Sequence, residues 1–245
     1  MDFAIRIANT NIVIHSVYSN IYEICKDYLI SSIVKPDIEI CTDDDSISEE
    51  FKQIRQEGEE IYSFGAAESL LVHRKIVESM LDYDTLLMHG AVIGLDQKSY
   101  MFSGRSGTGK TTHIKKWIEN VHGSFVLNGD KPMVIINSKG AFACGTPWRG
   151  KENYGTNDIV PLRSIVFMER SKENQITRVS FKSVLPALLE NTYRPQDTEK
   201  MKKALQLIFK LKDHVTFYKF YFDNYRENAF QTSFDALTKQ DNNLN

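Results

Sequence analysis

The residues with the most definite chemical consequence are Gly104-Arg105-Ser106-Gly107-Thr108-Gly109-Lys110-Thr111, which satisfy the spacing G-x-x-x-x-G-K-[ST]. Average residue frequencies would produce such a match in a chain of this length about once in a hundred. Glycines let the backbone bend so that successive N–H groups converge on phosphate oxygens, and a helix starting at the lysine adds its positive end. Gly104, Ser106, Gly107, Thr108, Gly109, Lys110, Thr111 and Thr112 are therefore the expected nucleotide contacts. In that arrangement Lys110 bridges the β- and γ-phosphates, Thr111 offers its hydroxyl to Mg2+, and Thr112 reaches the α-phosphate, so the expected cofactors are ATP and Mg2+.

A phosphate cradle needs a second half. Asp130 follows the apolar residues 125–127 in Leu127-Asn128-Gly129-Asp130-Lys131-Pro132. At a strand end it reads as a metal ligand, as the acceptor of a proton from an attacking hydroxyl, or as an ordinary turn aspartate. His89, in Met88-His89-Gly90, reads as a cleft residue or as a core histidine. Residues 145–153 combine glycine, charge and an aromatic between two strands, the composition of a lid or of a solvated loop. As a lid, it would bring Arg149 and Lys151 to a transferring phosphoryl group and Glu152 to a metal-bound water or an acceptor. Asp130, Lys110, His89, Arg149 and Glu152 are thus the candidate catalytic residues, and Thr111 and Asp130 the candidate metal ligands. Arg163, Arg194 and Lys131 are further cations without a defined task.

The elements that must position these groups follow from periodicity. Residues 3–8 and 12–17 alternate as strands around the turn-formers Asn9-Thr10-Asn11, and residues 20–30 carry one apolar stripe of Ile21, Ile24, Cys25, Tyr28 and Leu29 at helical spacing. A short strand at 37–42 precedes an acidic stretch from Asp43 to Glu60, read as a solvated loop and helix start. A helix over 65–81, with Ser63 as its N-cap, is expected to bridge two lobes. Strands at 85–95 and 98–103 lead into the Gly-rich loop, the helix behind it burying Ile114 and Trp117 as core. Further strands are expected at 124–127, 133–137, 141–144, 162–169 and 215–222. Helices are expected at 182–191, interrupted or started by Pro186, at 201–211 and at 226–237, and residues 241–245 as a frayed end.

Composition sets the outer bounds. The chain has 245 residues, 42% hydrophobic and 25% charged, enough for a real core. Its formal charge of -2 lacks the positive excess of a nucleic-acid binder. No apolar run approaches the ~20 residues of a membrane span, and no secretory signal is visible, so no membrane and a cytoplasmic location are expected. The 3 cysteines, Cys25, Cys41 and Cys144, have no ligand-like spacing and read as reduced packing residues rather than as disulfides or a zinc site.

The run Ser103 to Thr112 resembles the P-loop of ATP-dependent phosphoenolpyruvate (PEP) carboxykinases, and the order His89-Gly90, P-loop, Asp130 resembles the catalytic domain of HPr kinase/phosphorylase. The similarity spans about residues 86–169. The segment 145–153, followed by Val160-Pro161-Leu162, is similar to HPr-kinase-like proteins of undefined substrate and to the peptide-serine kinases of lasso-peptide biosynthesis. Residues 1–84 carry no such resemblance. The resemblance implies that Lys110 and Thr111 hold MgATP, that Asp130 acts as base or metal ligand, and that His89 lies in the cleft. Two positions depart from the pattern: these families place adjacent acidic residues where this chain has Gly129-Asp130, and HPr kinases have Glu where it has Thr112.

The expected fold is α/β: a small α/β N-terminal lobe over 1–84, then a P-loop domain of the HPr kinase/PEP carboxykinase type with a mixed sheet over 85–240. The expected activity is transfer of the γ-phosphoryl group of ATP to a Ser/Thr hydroxyl of a peptide or protein partner, and a homo-oligomer is compatible with it. The alternatives are a kinase of a small hydroxyl metabolite and a non-catalytic ATP sensor, for which Gly129 is the supporting feature.

Overall fold

The computed structural model describes residues 1–31, 35–223 and 228–239, so the first residues of the expected helix at 226–237 and the whole of 241–245 lie outside the described residues. The chain is mixed α/β and divides into two compact units, Met1–Tyr83 and Asp84–Asn245.

In the first unit, strands β1 (Asp2–Ile7) and β2 (Thr10–His15) pair antiparallel, and β3 (Ile38–Cys41) joins β2 in parallel. Alternation sends Ile5, Ile7, Ile12, Ile14, Ile38 and Ile40 into the core and leaves Asp2, Arg6, Asn11, His15, Glu39 and Cys41, with the half-buried pair Ala4 and Val13 among them, on the opposite face. The hairpin turn is Ala8-Asn9, both at positive φ (50° and 64°), rather than the expected Asn9-Thr10-Asn11. Two residues at positive φ give a tight turn whose twist matches that of the strands, and this fixes the register.

The expected helix over 20–30 is only α1 (Asn20–Ile24) followed by a 3-10 turn, Lys26–Tyr28. Ile21, Cys25 and Tyr28 are buried, but Ile24 is exposed, so the stripe is broken where the helix tightens. The acidic stretch is mostly α2 (Asp44–Gln56), started by a reciprocal capping box between Asp43 and Ser46. Helix α3 (Phe64–Met80) is capped by Ser63, whose hydroxyl accepts from Ala66 N at 3.1 Å. Expected to bridge two lobes, it is part of the first unit, where it packs on α1, α2 and β3. Its Glu68 is fully buried and accepts from Val17 N (2.6 Å), Tyr18 N (2.8 Å) and Thr42 Oγ1 (2.6 Å), which satisfies the carboxylate.

The second unit is a mixed sheet of nine strands. Residues 85–95 are two strands, not one: β4 (Thr85–Leu87) pairs with β8 (Met133–Asn137), whereas β5 (Ala91–Leu95) pairs with β6 (Lys98–Ser103) and β7 (Phe125–Asn128). The chain changes partners at Met88-His89-Gly90, which puts His89 in a bend. β9 (Gly140–Cys144) joins β8 to the N-terminal end of β10 (Ile159–Arg170), and the remainder of β10 lies parallel to β6 and to β12 (Thr216–Phe222). Strand β11 (Gln175–Val179), absent from the sequence expectation, closes the edge against β12.

Helix α4 (Lys110–Asn120) covers this sheet, with Ile114 and Trp117 fully buried among Tyr100, Phe102, Val166 and Phe220. Helix α5 (Phe181–Glu190) runs through Pro186 without a break, and α6 (Thr198–Leu211) follows. Helix α7 (Ala229–Thr238) packs Phe230 and Phe234 against Trp117. Among the described residues no helix is long and apolar enough to cross a membrane. Cys25 and Cys144 are buried thiols with pKa values pushed up to about 12 by burial, as packing residues should be. Cys41 is exposed, because its place in β3 puts it on the solvent face of the sheet.

Candidate functional site

Strand β6 ends at Ser103 and the chain enters residues 104–109 before α4 begins at Lys110. This loop has strand on one side and helix on the other because Tyr100 and Phe102 face inward from β6 while Ile114 and Trp117 do so from α4. Gly104, Gly107 and Gly109 all adopt positive φ (153°, 74° and 112°), and a Cβ at Gly104 would lie 2.8 Å from Met168 O on β10. The loop can therefore pass this close to β10 only with glycine there. Thr108 Oγ1 donates to Arg105 O inside the loop.

Lys110 Nζ folds over the loop and donates to Gly104 O (2.7 Å) and Arg105 O (3.2 Å). Burial lowers its pKa, with the Asp130 charge acting in the opposite sense. A partly desolvated ammonium beside the start of a helix gains strongly from an arriving anion. Arg170, at the end of β10, donates from Nη2 to Gly107 O (2.7 Å) and from Nε to Thr108 O (3.3 Å), and so holds the loop from its other side.

A cleft of about 510 Å³ lies under the loop, lined by Lys110, Thr111 and Thr112 and also by His89, Asp130 and Arg149. Asp130 Oδ1 is 3.2 Å from His89 Nε2. That hydrogen bond, then the positive charge of His89, Lys131 and Lys110, holds the Asp130 carboxyl below the usual carboxylate range against the effect of burial. Both residues are fixed by backbone. His89 N donates to Asn191 O (2.7 Å), Ser103 Oγ donates to His89 O (2.8 Å), and Gly90 N donates to Asp130 O (2.9 Å).

The turn carrying Asp130 is organised by Asn128, a fully buried residue. Its Oδ1 accepts from Asp130 N (2.9 Å) and Lys131 N (2.8 Å), and its Nδ2 donates to Thr146 O (3.1 Å) and Thr146 Oγ1 (3.0 Å). Thr146 Oγ1 donates in turn to Lys131 O (2.7 Å), closing the network.

Residues 145–155 have tied ends and an exposed tip. Gly129 N donates to Tyr154 O (3.0 Å), Lys131 N to Trp148 O (3.3 Å) and Thr156 N to Leu127 O (3.1 Å). The tip crosses above Asp130, since a Cβ at Gly150 would be 2.9 Å from Asp130 Cβ. Arg149 and Lys151 line the cleft, and Glu152 pairs with Lys115 Nζ at 3.2 Å on α4. Gly129 has a packing reason: a Cβ there would meet Arg149 O at 2.9 Å and Tyr154 O at 3.3 Å. Side chain at 129 and loop backbone exclude each other.

The structure thus brings together Ser106, Gly107, Gly109, Lys110, Thr111, Thr112, His89, Asp130, Arg149 and Glu152 around one cleft. Gly104 and Thr108 line an adjoining cavity of about 630 Å³ beyond the loop, with Ser106, Gly107 and Arg170 shared between the two. Arg163 and Arg194 line neither. Asn128 and Arg170 were missed from sequence. Their only signals were a polar residue closing an apolar strand before Gly-Asp, and a cation ending the apolar run of β10.

No family model matches the chain, and no curated protein matches it. Among solved structures the chain is similar to the HPr(Ser) kinase/phosphatase from Coxiella burnetii, at 6% sequence identity and a TM-score of 0.38, over 64% of this chain and 91% of that chain. That is a distant structural similarity, and no residue role rests on it.

Proposed function

We propose that this chain is an ATP-dependent phosphotransferase of the HPr kinase/PEP carboxykinase type, moving the γ-phosphoryl group of MgATP to a Ser or Thr hydroxyl of a peptide or protein. In this reading the second unit is the kinase-like domain and the first a small α/β lobe. One observation carries it: a glycine cradle at a helix start, with a desolvated lysine, faces an ionised aspartate across a single cleft.

The donor set fits the nucleotide and its metal. The loop amides and Lys110 suit phosphate oxygens, and the Thr111 hydroxyl and Asp130 carboxylate are hard oxygen donors of the kind Mg2+ takes. MgATP supplies the transferable group and part of the positive charge that makes transfer possible. Lys110 offsets negative charge on the phosphates, and Arg149 and Lys151 approach the same region from the loop above. Asp130 accepts a hydrogen bond from the acceptor hydroxyl and so points its oxygen at phosphorus, while His89 fixes the carboxylate. A carboxylate with a lowered pKa is a weak base, so its task is alignment. The proton leaves the hydroxyl oxygen late, as the new O–P bond forms and the old one to ADP breaks, and passes through Asp130 to water.

The test is label transfer from γ-labelled MgATP to a Ser/Thr peptide library and, in parallel, to a pool of hydroxyl metabolites, with Lys110→Ala as the blank. Label in Ser or Thr of a peptide, absent in the blank, is the expected result. Label only in a metabolite, or retained nucleotide binding with no transfer to either, contradicts it.

A further inference from the structure

A second donor cluster lies on the first unit, outside the cleft. The solvent face of the three-stranded sheet places Asp2 of β1 opposite His15 of β2, and His15 opposite Cys41 of β3, with Glu39 two residues before Cys41 on the same face. His15 Nδ1 is 2.9 Å from Asp2 Oδ1 and Nε2 is 2.9 Å from Glu39 Oε1. The ligand atoms of His15, Glu39 and Cys41 all lie within 4.8 Å of one another.

A neutral imidazole carries one N–H. With it on Nδ1, donated to Asp2, the Nε2 lone pair faces a carboxylate lone pair, a repulsion that either a second ring proton or a metal ion between them relieves. A proton would satisfy Nε2 and Glu39 but gives no reason for a third, soft donor at the same point. A metal ion uses all three. Tetrahedral coordination with bonds of the usual length puts ligand atoms about 3.4 Å apart, which small side-chain adjustments reach from here. The carboxylate on the distal ring nitrogen is the outer partner that metal-binding histidines normally have.

We propose that His15 Nε2, a Glu39 carboxylate oxygen and Cys41 Sγ form a binding site for Zn2+ or a similar borderline divalent ion, with Asp2 orienting the imidazole. The mixed N, O and S donor set favours zinc-like ions over Mg2+ or Ca2+. Binding releases the Cys41 thiol proton to solvent, and water takes the fourth position. The ion would link β2 to β3, and Asp2 would tie β1 to them through its hydrogen bond with the imidazole. Lys75 Nζ, which donates to Cys41 O at 2.7 Å, fixes the end of β3 beside it.

The test is titration of the full chain with Co2+ as a spectroscopic probe, followed by displacement with Zn2+. The expected result is a near-ultraviolet thiolate-to-cobalt band and visible bands of tetrahedral intensity, all removed by Zn2+. Cys25 and Cys144 are buried and cannot supply that sulfur. Cys41→Ser, an exposed substitution, should lose the near-ultraviolet band, and Asp2→Asn should keep it with affinity about tenfold or more weaker. A wild-type chain with no such band, or a band that persists in Cys41→Ser, overturns the proposal. Unchanged affinity in Asp2→Asn overturns the role given to Asp2.

Discussion

Asn128 decides where Asp130 points. All four of its hydrogen bonds are made in a dry site, two to the backbone N–H groups of Asp130 and Lys131 and two to Thr146. Asn128→Ala should therefore lower stability by about 1–3 kcal/mol in urea unfolding. It should reduce kcat for transfer more than it raises the KM for ATP, since the phosphate cradle is untouched; a change confined to KM would contradict this role. Gly129 is governed by contact. Restoring an acidic residue with Gly129→Asp would drive Cβ against Arg149 O and Tyr154 O, so the expected outcome is a destabilised chain with lower activity, read by thermal melting and label transfer. A gain in activity would show that a second carboxylate was what the site lacked. The glycine-rich loop between β6 and α4 was legible from its own residues, because its geometry is local in sequence. Asn128 and Arg170 were not, since each acts through neighbours far along the chain: Thr146 for the first and the carbonyls of Gly107 and Thr108 for the second.

Helix α4 shows how an element holds a site still. Its first turn carries Lys110, Thr111 and Thr112, and the next residue, His113, is buried between Phe102, Phe220 and Phe222 with Nε2 2.9 Å from Ser233 Oγ of α7. Trp117 Nε1 donates to the same hydroxyl at 3.3 Å. Burial, helped by the charge of Lys116, pulls the His113 pKa down from 6.5 to about 3. A depressed value means the neutral ring is favoured on folding. Stability from this group is thus complete above pH 6.5 and falls as the pH drops towards 3, by up to about 4 kcal/mol across that interval. Denaturation at a series of pH values should show the loss in the wild type and a flatter dependence in His113→Leu. Equal slopes would show that His113 is not the group responsible. Periodicity revealed α4, α6 and most strands, but not the division of residues 85–95 into β4 and β5. A strand that changes partners looks continuous in sequence, since both halves are apolar and the bend at Met88-His89-Gly90 has only one glycine to mark it. Pro186 misled for the converse reason: α5 accommodates it in its interior.

For the whole molecule, every residue assigned to phosphoryl transfer falls within Asp84–Asn245, and every ligand of the proposed metal site within Met1–Tyr83. The first unit's fold was partly legible, as its hairpin and α3 were, but its metal-type cluster was not. The donors at 2, 15, 39 and 41 follow no motif spacing and meet only through strand register. Composition spoke only to the chain as a whole: a formal charge of -2 lacks the positive excess common in nucleic-acid binders. The central claim is that Asp130 aligns an acceptor hydroxyl opposite a nucleotide held by the P-loop. It is tested most directly by comparing wild type with Asp130→Asn in nucleotide binding and in label transfer from MgATP to a Ser/Thr peptide. The expected result is affinity for ATP within a few-fold of wild type and transfer reduced by about a hundredfold or more, the scale that misplacing a reacting group costs. Transfer at the wild-type rate in Asp130→Asn would contradict the account.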